Sequence, residues 1–306
     1  MRVFFNAIIV HTLLNIYVFG WGWKFFPTKN MRLLLSAIFG LELVVYLVGF
    51  IVSTHLPDYI MHQIAIVGTS WMVFILYMTA FLMLYDFTFL AGKRYLALRT
   101  LLSLKWLRRP SYYILSCLAV LIIMAWGSFR FWNPVVTEVN ITIPKTTQNV
   151  KTLKVLMVSD IHAGYLINKN VLKLYVDKIM EQQPDIILIP GDIIDQHLEP
   201  LIEERMDEEF RRLSAPYGVY ATTGNHEYRE DADKNVAWLR DKARMTVLRD
   251  SAMKIANSFY IIGREDDKDL NRDSLATILK KYDIDKNLPL IVMNHEPHNL
   301  AEEAED

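Results

Sequence analysis

Val155-Leu156-Met157-Val158-Ser159-Asp160-Ile161-His162 is the stretch whose reading decides the fold. Four apolar residues read as a strand, and a carboxylate and an imidazole follow almost at once. The same pattern recurs downstream. Ile186-Ile187-Leu188-Ile189 leads to Gly191-Asp192 and Asp195, Gly218-Val219-Tyr220-Ala221 leads to Gly224-Asn225-His226-Glu227, and Leu290-Ile291-Val292-Met293 leads to Asn294-His295. Between the first two runs, Val171, Leu172, Tyr175, Val176 and Ile179 recur at helical spacing. That spacing predicts a helix over Lys169–Gln182, closed by Pro184. Strand, helix, strand in this order predicts an α/β domain from Leu153 onward. Further helices are expected over Leu201–Leu213, Asp233–Lys242 and Ser274–Lys281. Weaker strands are expected at Thr246–Leu248 and Phe259–Ile262, and a last strand at Leu288–Met293.

The chain upstream is different matter. Residues 1–133 carry 11 Lys/Arg against 3 Asp/Glu, and residues 134–306 carry 22 against 31, which together give the net charge of −1. The first part reads as a transmembrane module with four apolar spans at about 4–23, 33–54, 65–90 and 112–132. The first span is the weakest, because His11 and Asn15 interrupt it. Trp21, Trp23, Tyr112, Tyr113 and Trp132 lie at span ends, as an aromatic belt does. Lys24, Lys29 and Arg32 mark the first loop, and Lys93, Arg94, Arg99, Lys105, Arg108 and Arg109 the third, whereas the second has no Lys or Arg. Positive loops stay in the cytoplasm, so the amino terminus and everything after Trp132 are expected outside. Asp86 reads as a residue of a cytoplasmic span end, and Glu42 as one facing another helix. Residues 134–152 read as a linker containing an edge strand at 135–143, and 153–306 as the α/β domain. An acidic second half excludes a nucleic-acid groove. The one cysteine, Cys117, lies in an apolar run and reads as packing.

The polar residues at the run ends suit a dinuclear metal centre. Asp160 and His162, two apart in an extended segment, share a face. Asp192, after a glycine that permits a tight turn, is placed to bridge two cations through its two oxygens. Asn225 offers a neutral oxygen and His295 a ring nitrogen. Such a mixed set suits two divalent ions such as Mn, Fe, Zn or Ni, which clamp a phosphoryl group and activate water. His226, next to Asn225, points away from it and is placed to protonate a leaving alkoxide, with Asp195 orienting its imidazole. His11, His55, His62, His197 and His298 read as structural or solvated, and Glu203–Glu209 as a solvated helix face.

Asp160-Ile161-His162, Gly191-Asp192-Ile193-Ile194-Asp195, Gly224-Asn225-His226-Glu227 and Asn294-His295 resemble the calcineurin-like metallophosphoesterase family over about Leu153–Pro297. Helices ahead of such a domain look most like the membrane-tethered bacterial phosphohydrolases of that family. The resemblance implies a four-layer α/β/β/α sandwich. It implies one metal on Asp160, His162 and Asp192, a second on Asp192, Asn225 and His295, His226 as acid, and Asp195 behind it. It further implies a phosphoester or pyrophosphate substrate, either a phosphorylated small molecule or a lipid-linked one, and contact with membrane lipids. The family's closing Gly-His-x-His motif is not reached by Asp306, so the expectation is a truncated domain whose C-terminal part is missing. The alternative is a catalytically incomplete membrane protein that binds a phosphorylated ligand.

Overall fold

The computed structural model describes residues 2–51, 58–104, 107, 109–145, 147, 149–195 and 197–298. His55 lies outside them. The chain divides into two compact units, 1–133 and 134–306.

The first unit is helical: α1 (Arg2–Phe25), α2 (Lys29–Ile51), α3 (Asp58–Gly92), the short α4 (Leu96–Leu102) and α5 (Arg109–Trp132). Among the described residues, three helices are long and apolar enough to cross a membrane, over Lys29–Val48, Tyr59–Gly92 and Arg109–Trp132. The expected first span, 4–23, forms a helix but is not among the three, so the count of four is corrected to three. His11, Asn15 and Lys24 lower the hydropathy of α1. Its polar groups are nevertheless matched inside the bundle. His11 Nε2 lies 2.9 Å from Glu42 Oε1, and Asn15 Oδ1 accepts from Trp71 Nε1 at 3.0 Å. Asp86 accepts from the Tyr17 hydroxyl at 2.8 Å and from Trp21 Nε1 at 3.3 Å. Glu42 and Asp86 therefore both face neighbouring helices, as the sequence implied for Glu42.

The second unit holds β1 (Val155–Met157), α6 (Lys169–Glu181), β2 (Ile186–Pro190), α7 (Glu199–Glu203), α8 (Asp207–Phe210), β3 (Val219–Thr222), α9 (Ala232–Asp241), β4 (Thr246–Val247), β5 (Ser251–Ile255), β6 (Phe259–Gly263), α10 (Leu275–Lys281) and β7 (Leu290–Met293). A four-stranded sheet runs in the order β1-β2-β3-β4, all parallel. A three-stranded sheet runs β5-β6-β7, antiparallel and then parallel.

Strand alternation explains the layers. Every residue of β2 is buried, because its two faces serve two cores. Ile187 and Ile189 pack with Leu172, Val176 and Trp238 of the helices. Ile186 and Leu188 pack with Phe259, Ile261 and Met293 of the second sheet. Ile262, on the other face of β6, packs with Leu275, Ile278 and Leu279 of α10. Each such side chain contributes roughly 1.5–3 kcal/mol by leaving water. The helices start where the chain supplies caps: Asn168, Asp231 and Ser274 each accept from a main-chain N–H three residues on.

Three expectations need correction. The helix over Leu201–Leu213 is instead α7 and α8, separated by Arg205 in the left-handed region (φ 54°). The break lets both Met206 and Phe210 reach the core beside Leu201. Residues 135–143 form no strand pairing, and Val139 and Ile141 stay exposed. β5 was not expected. It joins β6 through Ala256 and Asn257, both at positive φ (47° and 53°). That is the backbone of a tight hairpin turn without the glycine that normally announces one.

Candidate metal centre

The site is built from the loops that leave β1, β2, β3 and β7. The first two run side by side. Asp160 N donates to Gly191 O at 3.3 Å, His162 N to Asp192 O at 2.9 Å, and Ala163 N to Ile193 O at 2.8 Å. These bonds extend the parallel pairing of β1 and β2 beyond the strands and bring the two sets of side chains together.

Local backbone supplies the convergence. Asp160 (φ 56°), His162 (φ 51°) and Asp192 (φ 51°) all lie in the left-handed region, where a non-glycine residue costs about 1–3 kcal/mol. The expectation that Asp160 and His162 share a face of an extended segment is therefore wrong in its reason. Two left-handed kinks, not a pleat, bring Asp160 Oδ1 to 3.8 Å from His162 Nε2. Gly191 (φ 84°) makes the turn before Asp192, as expected. A Cβ there would meet His295 Cγ at 2.7 Å and Gly224 Cα at 2.8 Å, so glycine is required by space as well as by φ.

Asp192 is the hub, with 3 % of its surface exposed. Its Oδ1 accepts the His226 main-chain N–H at 2.8 Å. Its Oδ2 faces three imidazoles, at 3.4 Å from His295 Nε2, 3.6 Å from His162 Nε2 and 3.8 Å from His226 Nε2. Oδ1 thus accepts one backbone N–H, while Oδ2 faces the three imidazoles. Asn225 Oδ1 lies 3.3 Å from His295 Nε2. Asp160, His162 and Asp192 have ligand atoms close enough to hold one ion.

The imidazoles are held from behind. His295 Nδ1–H donates to Pro190 O at 2.9 Å, which leaves Nε2 free as a donor atom. His226 Nδ1 donates to the Asp195 main-chain carbonyl and lies 3.1 Å from Asp195 Oδ1. Asp195 therefore orients His226, through its backbone as well as its carboxylate. Burial tends to raise the Asp192 carboxyl, but His295 and the His226 N–H outweigh it and hold it below its ordinary value. The Asp192 carboxylate lifts His295 to about 9, against desolvation.

Glu227 is the residue whose importance the sequence did not convey. It is fully buried, and its carboxylate accepts four main-chain N–H groups. Oε1 takes Ile193 at 2.8 Å and Ile194 at 2.9 Å, and Oε2 takes Gly224 at 2.7 Å and Asp192 at 3.0 Å. It ties the loop after β2 to the loop after β3. Burial pushes it up to about 7 although the N–H donors pull downward. Thr223, Glu265 and Arg249 form a second tie: Thr223 Oγ1 and Arg249 Nε both donate to Glu265, and Arg249 Nη2 donates to the Tyr228 hydroxyl at 3.1 Å. Neither network has a local sequence signal, because burial of an acid shows only in three dimensions. His197 is exposed beside Glu230, and His298 is exposed beside Glu296, 3.1 Å away.

The donor set fits divalent metal. Carboxylates of Asp160 and Asp192 converge with imidazoles, and among the described residues no Lys or Arg comes within ion-pair distance of either. His162 Nδ1 is buried without a hydrogen-bond partner. Converging carboxylates and imidazoles without a Lys or Arg are the donor set that a divalent ion takes.

The model of the calcineurin-like phosphoesterase family matches residues 153–305. The chain belongs to that family. An uncharacterized metallophosphoesterase of Campylobacter jejuni is 29 % identical over 185 residues, covering 60 % of this chain and 48 % of the relative. A transmembrane protein with metallophosphoesterase domain from Danio rerio is 30 % identical over 95 residues, covering 31 % and 21 %. The UDP-2,3-diacylglucosamine pyrophosphatase LpxG of Chlamydia trachomatis is 31 % identical over 93 residues, covering 30 % and 28 %. The chain spans about half the length of the first curated relatives it matches.

Proposed function

We propose that this chain is a membrane-anchored, metal-dependent phosphohydrolase acting on a phosphoester or pyrophosphate, with a lipid-linked phosphate as the favoured substrate class. The observation that carries the reading is Asp192 Oδ2 lying between His162 Nε2 and His295 Nε2, at 3.6 and 3.4 Å. Asp160, His162 and Asp192 would hold one divalent ion, and Asp192, Asn225 and His295 the other. Such a pair, when bound, supplies charge stabilisation to a phosphoryl group and lowers the pKa of a water.

The chain's own residues do the rest. His226, in its doubly protonated form with Nδ1–H engaged by Asp195, would give the Nε2 proton to the departing oxygen and be left as the neutral Nδ1–H ring. Asp195 keeps the ring in that orientation. Glu227 holds the loops so that Asp192 and Asn225 keep their places. The two sheets and the helices on either side of them serve as the layers of the α/β/β/α sandwich.

A tethered domain favours a substrate that is itself in the bilayer, which agrees with the lipid-related name of the Chlamydia relative. With three spans, the basic segments before α2 and between α3 and α5 stay in the cytoplasm, so the domain faces away from it. With three spans the domain and the amino terminus lie on opposite sides.

The test uses full-length protein stripped with chelator. Added Mn, Fe, Zn or Ni is expected to restore cleavage of p-nitrophenyl phosphate or its diester, and Asp192→Ala to abolish both metal binding and turnover. Metal and phosphate binding without hydrolysis of any ester would replace the reading with that of a phospho-ligand-binding protein. Protease added to intact spheroplasts is expected to digest the domain, and full protection would reverse the orientation.

A further inference from the structure

The helical unit carries a polar cavity of its own, of about 330 Å³, lined in part by Tyr17, Trp21, Lys24, Phe25, Asp86 and Arg109. Its residues come from α1, α3 and the first turn of α5. The guanidinium carbon of Arg109 lies 4.5 Å from the ring centroids of both Phe25 and Phe89. Two rings thus clamp its faces and fix its plane, while the N–H groups at its edge need acceptors that a ring face does not supply.

None is found among the described residues: neither Arg109 nor Lys24 has an ion-pair or hydrogen-bond acceptor there. Lys24 Nζ rests 5.5 Å from the Phe25 ring centroid. The cavity's one acid is already engaged, since the two oxygens of Asp86 take the Tyr17 hydroxyl and the Trp21 indole. Two cations against one committed carboxylate leave the cavity net positive. The amino-terminal end of a 24-residue helix, α5, adds its dipole at Arg109.

We propose that this cavity binds the phosphate of an anionic membrane phospholipid, with Arg109 as the oriented anchor and Lys24 as the second cation. A lipid is favoured over a free anion because the rim is apolar and open: Ile16 lines it and is 62 % exposed. An acyl chain has a surface to follow there. Lys29, Arg32, Lys93, Arg94 and Arg99 lie in the segments that bound the same helix ends, where anionic headgroups gather. The proposal is independent of the hydrolytic reading and rests only on the membrane placement of the helices.

The test is native mass spectrometry of the full-length protein in mild detergent, titrated with phosphatidylglycerol or phosphatidylcholine of matched chains. Wild type is expected to prefer phosphatidylglycerol by at least about tenfold, as a charge-assisted contact implies. Arg109→Gln with Lys24→Gln is expected to bring the preference to near one while metal-dependent cleavage of p-nitrophenyl phosphate persists. Arg109→Lys, which keeps charge but loses the planar clamp, is expected to fall between. Equal retention of both lipids by wild type, or an undiminished preference in the double variant, overturns the proposal. Displacement of phosphatidylglycerol by millimolar inorganic phosphate would also overturn it, in favour of a free-anion site. Alkaline carbonate extraction separates the premises: release from membranes sinks the membrane placement and the site with it, whereas retention without lipid preference sinks the site alone.

Discussion

Glu227→Gln isolates the clamp behind the metal centre. The substitution keeps shape and volume but turns one acceptor oxygen into an NH2 group. Oε1 serves Ile193 and Ile194, and Oε2 serves Asp192 and Gly224. Whichever way the amide turns, two main-chain N–H groups face a donor in a site closed to water. An orphaned buried donor costs about 1–3 kcal/mol, so the variant is expected to lose roughly 2–6 kcal/mol, against about 5–15 kcal/mol for a whole domain. At about 2–4 °C per kcal/mol for a domain of this size, its melting transition drops on the order of 10 °C. Metal content is expected to fall as well, because the released N–H groups are those of Asp192, a proposed ligand, and of Gly224, next to Asn225. The assay is a thermal melt of the full-length protein followed by metal analysis, with Glu227→Asp as a control that keeps charge but shortens reach. A Gln variant that melts within about 1 °C of wild type and holds as much metal as wild type would refute the reasoning.

Gly191→Ala places a Cβ 2.7 Å from His295 Cγ at a φ of 84°, so it is expected to displace His295 and to lose one of two ions in a metal count while the fold persists by circular dichroism. His226→Asn is expected to lower kcat by about 10²–10⁴ with both ions retained, the range for loss of a positioned proton donor; loss of metal instead would make His226 a ligand. His295 stands at about 9 in the metal-free protein. It is therefore protonated at neutral pH, and an ion arriving on Nε2 must displace that proton. Apparent affinity for the second ion should rise with pH up to about 9 and then level. Calorimetry at pH 7.5 in buffers of different ionisation heat should register proton release on binding, and identical heats would count against His295 as a ligand. The linked stability has the opposite sense: a raised imidazole stabilises the metal-free fold fully below its ordinary value and loses that contribution as pH rises through 9.

The strands that position the site were legible because their pattern is local. Ile186–Ile189 is continuous in apolar residues since both its faces are covered, and the helix after Asn168 carries its cap and its apolar stripe in one short segment. What escaped was decided by geometry that no short window contains. The break at Arg205 depends on Phe210 finding the core, and the β5–β6 hairpin depends on Ala256 accepting a left-handed conformation. α1 shows the same limit: no short window tells that His11, Asn15 and Tyr17 each have a polar partner on α2 or α3.

In the site itself, residue identity was readable and the reason for convergence was not. The ligand types stood out because carboxylate, imidazole and amide follow apolar runs. Their meeting point is set by three non-glycine residues at positive φ, each held at a cost of about 1–3 kcal/mol. Such strain persists only if neighbours over-determine the backbone. Here the neighbours are the paired loops after β1 and β2 and the Glu227 carboxylate, held against β2, whose side chains are all buried. Burying an acid with its carboxyl lifted to about 7 is itself unfavourable, so the arrangement spends stability from the sheet on the placement of Asp192. A domain selected for stability alone would gain by relaxing every one of these features. Their concentration around one carboxylate oxygen is therefore the physical argument that this point of the molecule is shaped for a ligand.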